Sequence, residues 1–194
     1  MTSFKSSNSK SVYLDNKGDY VYSEINDYGS LYAAQYSTYY PDDDEIAEYK
    51  KYLFESHTLA CKHFNCEIIS TDPLITRTPK YDGTLLDYFA IEENKSDICF
   101  SNVMDKLVDI VVYMKKNKLI HDDLAFRNIC YTHTHKSELK LYVIDFDQLH
   151  ENEFEEDYVS INDEIMYLLE DIKDICGIDQ YNKFAKMLCE KMSK

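Results

Sequence analysis

The sequence contains no tryptophan and little of the two residues that make chains flexible, with 4 glycines and 3 prolines among 194 residues. Flexible linkers are usually rich in such residues, so the composition predicts that no long linker divides the chain. Hydrophobic residues make up 44% and aromatic residues 14%, which is enough to form a buried core. This length fits one domain, or one domain divided into two lobes.

Positive charge is also scarce, with 21 Lys and Arg against 36 Asp and Glu and a formal net charge of -15. Such a surface repels the phosphates of nucleic acids and of anionic lipids. The balance therefore argues against a broad nucleic-acid or membrane-binding surface. It is compatible with one small basic pocket for a nucleotide.

Targeting and cross-linking signals are missing as well. No apolar run is long enough to span a bilayer, and residues 1–10 lack the apolar core of a secretory signal peptide. The six cysteines include no Cys-x-x-Cys pair, which predicts free buried thiols in a reducing compartment. We expect a cytoplasmic protein without a membrane span.

The first 80 residues favour strands around one long helix. Residues 1–10, rich in Ser and Lys, predict a disordered tail. Alternating and tyrosine-rich segments, separated by turn residues, predict a meander, and the acidic residues after Pro41 predict the start of a helix. The predicted strands are residues 11–14, 20–25, 30–40, 66–69 and 74–78.

The remaining residues are mainly helical. Apolar residues recur at helical spacing in four segments, and two strand-like segments lie between them. The predicted helices are residues 85–89, 101–116, 161–172 and 181–188, and the predicted strands are residues 129–131 and 139–144. The sequence therefore predicts an α+β protein with a small β-rich first part and a helical second part.

Two short segments contain the residue types that phosphoryl transfer requires. The sequence reads HDDLAFRN at residues 121–128 and IDFD at residues 144–147. Transfer from a nucleotide needs oxygen ligands for a divalent metal and a carboxylate that orients the attacking hydroxyl. Together the segments resemble the HRDLxxxxN and DFG motifs of the protein-kinase-like superfamily, with the same internal spacing and room for a β-hairpin between them.

The resemblance implies a role for each polar residue of these motifs. It makes Asp123 the catalytic base, and it makes Asn128 and Asp145 the ligands of magnesium on the phosphates of ATP. It also implies a two-lobed fold, with an N-lobe at residues 11–80 and a C-lobe at residues 81–194. An Asp that braces the catalytic loop in kinases would correspond to Asp163.

The chain departs from the kinase pattern around these motifs. Asp122 replaces the Arg of HRD, which suggests that no activation-loop phosphate is read there, and Asp147 replaces the Gly of DFG. No APE motif follows, so the C-lobe is reduced. The pattern is similar to compact kinases of secreted bacterial effectors and large DNA viruses, which implies host interaction and a possible location in host cytoplasm.

The nucleotide-binding residues of the first part match the family less well. Aligning the predicted strand 30–40 with the VAIK strand of kinases places Gln35 at the lysine, and Glu55 at the glutamate that pairs with it. Gly18 is the one glycine in the first turn, where Lys17 is a substitute cation. Thr78 and Tyr81 delimit the segment that would bind adenine through its backbone.

Three functions remain open on these residues. The first is an atypical minimal kinase that transfers the ATP γ-phosphate to a protein Ser/Thr hydroxyl. The second is a pseudokinase that acts by binding a protein partner, which Gln35 and the missing glycines favour. The third is a small-molecule phosphotransferase, which the IDFD ending favours and the short chain disfavours. The acidic residues 151–157 predict a basic substrate or partner.

Overall fold

The computed structural model describes residues 2–6, 9–36, 40–133, 138–152 and 165–193. Within these residues the chain is a mixed α+β protein with antiparallel sheets and six α-helices. It divides into two compact units, Met1–Lys80 and Tyr81–Lys194. The sequence also placed a domain boundary after residue 80.

The first unit contains a five-stranded antiparallel sheet. Its strands are β1 (Thr2–Ser6), β2 (Lys10–Leu14), β3 (Tyr20–Ile25), β4 (Glu67–Thr71) and β5 (Leu74–Pro79), in the spatial order β1-β2-β3-β5-β4. The last four confirm predicted strands. The disordered tail predicted for residues 1–10 is wrong for residues 2–6, which form β1 and pair antiparallel with β2, whereas residues 1, 7 and 8 lie outside the described residues. β1 pairs with the next strand in the chain, and the polar composition of the segment did not reveal this pairing.

The strand predicted at residues 30–40 is also wrong, because α1 (Tyr28–Tyr36) is a helix. Asp27 begins it, since its carboxylate accepts a hydrogen bond from the backbone N–H of Ser30 at 3.1 Å. Tyrosine favours strands, but tertiary packing overrides such a weak preference. Residues 37–39 of the predicted strand lie outside the described residues.

The predicted helix after Pro41 is confirmed as α2 (Asp43–His63). Asp42 and Glu45 form a reciprocal capping box, in which each side chain accepts a hydrogen bond from the other residue's backbone N–H. The buried core of the unit joins β3, α1, α2 and β5. It consists of Ile25, Tyr28, Tyr49, Leu53 and Leu74.

The second unit is mainly helical, as the sequence predicted. Its α-helices are α3 (Leu85–Ala90), α4 (Asp97–Lys116), α5 (Met166–Asp171) and α6 (Ile178–Met192). A π-helical segment, Ile172–Cys176, continues α5. Residues 161–164 of the helix predicted at 161–172 lie outside the described residues.

Helix α4 is the centre of this unit, and its apolar stripe is buried. The buried residues along it are Phe100, Val103, Met104, Leu107, Val108, Val111 and Met114. Helix α6 contributes Phe184 and Leu188 to the core, and its Gln180 and Lys183 donate hydrogen bonds to Asp97 at the start of α4. Two helices predicted from spacing alone are thus joined by both packing and polar contacts.

Short strands frame the loops of the second unit. β6 (Gly83–Thr84), β8 (Ile129–His133) and β9 (Leu139–Val143) form one antiparallel sheet in the order β6-β8-β9. β7 (Leu119–Ile120) and β10 (His150–Glu151) form a second, two-stranded ladder. Among the described residues, no helix is both long and apolar enough to cross a membrane.

Candidate functional site

The two motif segments lie at the same end of one β-hairpin. The 121–128 loop runs from β7 to the start of β8, and the 144–147 segment begins where β9 ends. Ile129 pairs with Val143, and the backbone N–H of Ile144 donates a hydrogen bond to the carbonyl of Asn128 at 2.9 Å. The register of the hairpin therefore places Asn128 beside the residue that precedes Asp145.

Asn128 and Asp123 are joined directly. The Asn128 side chain is 5% exposed, and its Nδ2 donates to the Asp123 carbonyl at 2.9 Å and to the Asp123 carboxylate at 2.7 Å. With Nδ2 directed at Asp123, the Oδ1 of the same amide points the other way. The loop thus places the Asp123 carboxylate in direct contact with a buried amide.

Arg127 holds the other oxygen of the same carboxylate. Its guanidinium donates to Asp123 Oδ1, and it also lies 5.8 Å from the centroid of the Tyr167 ring on α5. Two donors therefore fix the orientation of the Asp123 carboxylate. Arg127 is half-exposed, so its remaining donors are accessible to solvent. The sequence analysis assigned no role to Arg127, although it is the cationic side chain within the 121–128 motif.

His121 is fully buried behind the loop. Its Nε2 lies 2.9 Å from the carbonyl oxygen of Ile144, and its ring meets the Phe146 ring edge-on at 6.0 Å. Burial lowers the pKa of His121, against the opposing effects of the Ile144 hydrogen bond and of three nearby carboxylates, Asp145, Asp123 and Asp122. A neutral imidazole that donates from Nε2 satisfies this geometry and connects the two segments.

Two residues of the site have left-handed backbone conformations. The φ angles of Asp122 and Asp145 are 59° and 63°. Residues other than glycine adopt this region at a cost, and such residues concentrate at functional sites. Both positions are aspartates, which tolerate it better than most residues do.

Asp171 anchors the loop from α5. Its Oδ2 accepts a hydrogen bond from the backbone N–H of buried Phe126 at 2.6 Å. Asp163, to which the resemblance gave this role, lies outside the described residues. One feature of the sequence could have identified Asp171. It lies in an amphipathic segment, next to the apolar stripe that contains Leu168 and Ile172.

Asp122, which the resemblance aligned with the Arg of HRD, faces a histidine. Asp122 Oδ2 lies 3.5 Å from the Nδ1 of His150 on β10. The same nitrogen lies 3.0 Å from the Gln148 carbonyl. Both side chains are partly exposed, so this contact is a modest link between the loop and β10.

The residues that would hold magnesium suit a hard cation. Asn128 and Asp145 offer amide and carboxylate oxygens, which are the ligands that magnesium prefers in proteins, and phosphate oxygens and water normally complete its shell. The described part of the chain contains no group of three or more His, Cys, Asp or Glu side chains able to hold a metal.

Gln35 is not on a strand. It lies in α1, and its Oε1 accepts a hydrogen bond from the Tyr49 hydroxyl at 2.6 Å. The strand that precedes the helices and pairs with β5 is β3, which reads YVYSEI and has no lysine. The alignment that assigned Gln35 to the position of a strand lysine is therefore wrong.

The turn between β2 and β3, which contains Lys17 and Gly18, is closed by the carboxylate of Asp15. Asp15 Oδ1 accepts hydrogen bonds from the backbone N–H groups of Asp19 and Tyr20, at 2.8 and 3.3 Å. Gly18 has a φ angle of 76°, and Lys17 is exposed. Two amides that a phosphate would need in this turn are therefore already directed at Asp15.

The remaining nucleotide-site candidates have ordinary contacts. Glu55 lies 3.8 Å from Lys51 in the same helix, an exposed ion pair of small energetic value. Thr78 pairs with Val21 in the first unit, whereas Tyr81 stacks on Tyr142 in the second unit with ring centroids 4.9 Å apart. Their roles in nucleotide binding stay predictions.

No protein-family model matches this chain, and no curated protein sequence matches it.

Proposed function

We propose that the chain is an atypical protein kinase that transfers the γ-phosphate of ATP to a Ser or Thr hydroxyl of a protein. The observation that carries this proposal is the contact of Asn128 with Asp123, together with the hydrogen bond from Ile144 to Asn128. These contacts bring the candidate base and the candidate magnesium ligands to one end of the hairpin. The left-handed Asp145 supports the same reading.

Each residue has a distinct part in the proposed reaction. Asp123 accepts the proton of the attacking hydroxyl, whose oxygen bonds to the γ-phosphorus while the bond to the β-γ bridging oxygen breaks and ADP leaves. Asn128 and Asp145 would hold magnesium, which neutralises phosphate charge when bound. Arg127 keeps the Asp123 carboxylate in one orientation, and its accessible donors face the solution from which substrate arrives.

The test is transfer of radioactive phosphate from γ-labelled ATP to protein substrates, with ADP release measured in parallel. Asp145→Asn and Asp123→Asn should each reduce incorporation by about 100-fold or more, because each removes a group that acts in the transition state. Asp105→Asn, a matched change on the exposed side of α4, should have no effect. Absence of incorporation by the unchanged protein, or incorporation that survives Asp145→Asn, would contradict the proposal.

A pseudokinase that acts through a protein partner is the second candidate. Two observations favour it: β3 carries no lysine, and Asp15 occupies the amides of the first turn. Both features remove phosphate contacts that active kinases use. A thermal-shift titration separates the candidates, because a ligand that binds the folded state raises the melting temperature. No shift with magnesium and ATP would favour the pseudokinase.

A further inference from the structure

Helices α1 and α2 share a cluster of tyrosine rings that the proposed reaction does not use. Tyr32, Tyr36 and Tyr49 contact one another, with ring centroids 4.8, 5.3 and 6.1 Å apart. Tyr52 continues the cluster, stacked on Tyr49 at 6.3 Å. Tyr49 is buried, and the cluster extends from it to Tyr36, which is 50% exposed. A solvent-facing aromatic surface of this kind is typical of sites that bind other proteins.

Acidic residues adjoin the aromatic ones on α2. Asp44, Glu48 and Tyr52 are spaced four residues apart, so they follow one stripe of the helix. Asp44 and Glu48 are exposed, and within the described part of the chain neither forms an ion pair. We name Tyr32, Tyr36, Tyr52, Asp44 and Glu48 the tyrosine–carboxylate surface.

The chemistry of this surface suits a cation attached to a larger molecule. Tyrosine rings attract cations above their faces, and carboxylates add long-range attraction. Elsewhere in this chain, tyrosine rings already receive cations: Arg77 over Tyr20, Lys50 over Tyr28 and Arg127 over Tyr167. The rings of Tyr32, Tyr36 and Tyr49 touch, so they leave no cage among them for a small ammonium ion. A cation must therefore lie on top of the rings, as a side chain of a docked segment does.

We propose that the tyrosine–carboxylate surface binds an arginine-bearing, positively charged segment of a partner protein. Arginine suits it better than lysine, because a planar guanidinium both stacks on an aromatic face and bonds to a carboxylate. Charge complementarity selects this occupant over an apolar or acidic one. The surface lies entirely within the first unit and does not depend on catalysis by the second.

The experiment uses the full chain and fluorescein-labelled peptides, with fluorescence anisotropy as the readout. One peptide alternates arginine with serine, and a second carries lysine at the same positions. The unchanged protein should bind the arginine peptide about 3-fold or more tightly than the lysine peptide. Tyr36→Ala and Glu48→Lys should each weaken the arginine peptide about 3- to 10-fold, and Tyr36→Phe should bind like the unchanged protein.

The control is Asp105→Lys, which makes the same change of charge as Glu48→Lys at an exposed residue of α4. It should leave binding within about 2-fold, because Asp105 is not part of the tyrosine–carboxylate surface and a change of net charge alone is screened by salt. Equal losses in Asp105→Lys and Glu48→Lys would show attraction to net charge alone and overturn the proposal. Equal affinity for the two peptides would also overturn it, as would a dimer of the unchanged chain that Tyr36→Ala dissociates. Circular dichroism confirms that each variant is folded.

Discussion

The Asn128 side-chain amide donates to both the carbonyl and the carboxylate of Asp123, at 2.9 and 2.7 Å. One buried amide thus closes the 121–128 loop on itself and positions the candidate base. Replacing Asn128 affects the fold of the loop and the proposed reaction together. Replacing Arg127, which bonds to the Asp123 carboxylate, or Asp171, which holds the loop from α5, should separate these effects.

Asn128→Ala removes both donors and the amide oxygen. The loss of buried hydrogen bonds should lower the free energy of unfolding by about 1–3 kcal/mol. Phosphate transfer should fall by more than about 10-fold, since a proposed magnesium ligand is lost. Urea unfolding and the labelled-ATP assay measure the two effects. Asn117→Ala, which removes an exposed amide bonded to the Tyr113 carbonyl, should preserve transfer.

Arg127→Ala should reduce activity and leave stability almost unchanged. The ion pair with Asp123 is partly exposed, and such pairs contribute about 0–1 kcal/mol. The carboxylate nevertheless loses one of its two donors, so we expect about 10-fold slower transfer. Arg127→Lys should recover part of the rate because it keeps the charge. A loss of several degrees in melting temperature would instead indicate a structural role. Lys173→Ala, which removes an exposed cationic side chain elsewhere, serves as the control for this melting temperature.

Asp171→Ala should destabilise the second unit by about 1–3 kcal/mol, because the buried backbone N–H of Phe126 loses its acceptor. Asp171→Asn retains an acceptor oxygen and should cost much less. Asp174→Ala, on the exposed side of the next turn, should be neutral. Hydrogen exchange of the Phe126 amide gives the direct readout. Unchanged protection in Asp171→Ala would contradict the anchoring role.

His121 should make the protein less stable in mild acid. Because burial lowers its pKa below the ordinary value of 6.5, the unfolded chain binds a proton that the folded chain excludes as the pH falls through 6.5. The binding of this one proton by the unfolded chain lowers the free energy of unfolding by at most about 1.4 kcal/mol per pH unit. His121→Gln keeps a donor near the position of Nε2 and cannot titrate, so its urea midpoint should depend less on pH between 7.5 and 5.5. Parallel curves for the two proteins would disprove this.

Strongly local patterns predicted most elements correctly. The α2 start followed from Pro41 and the acidic run, and α4 followed from apolar residues at helical spacing. The β8–β9 hairpin followed from two apolar runs around a polar loop. Each of these signals depends on neighbours within one or two turns of chain, where sequence and structure are closely linked.

Where long-range packing competes with local preference, the predictions were wrong. The tyrosines of residues 28–36 favour strands, yet their rings pack against α2 when the segment is helical. Asp27, the cap that begins this helix, lies between the predicted strands 20–25 and 30–40, where the sequence analysis expected only turn residues. Residues 2–6 have no apolar pattern, so the sequence did not indicate that they pair as β1 with the neighbouring strand β2.

The residue types of the candidate site follow from the sequence alone: two aspartates and an asparagine at fixed spacing, and a second acidic motif after a hairpin-length gap. Only the tertiary structure decided which groups meet. It joined Asn128 to Asp123, placed Arg127 on the same carboxylate, and brought Asp171 to the loop from α5. Residue types can be read locally from the sequence. Hydrogen bonds between side chains depend on the conformation of the loop and on the packing that brings distant segments together.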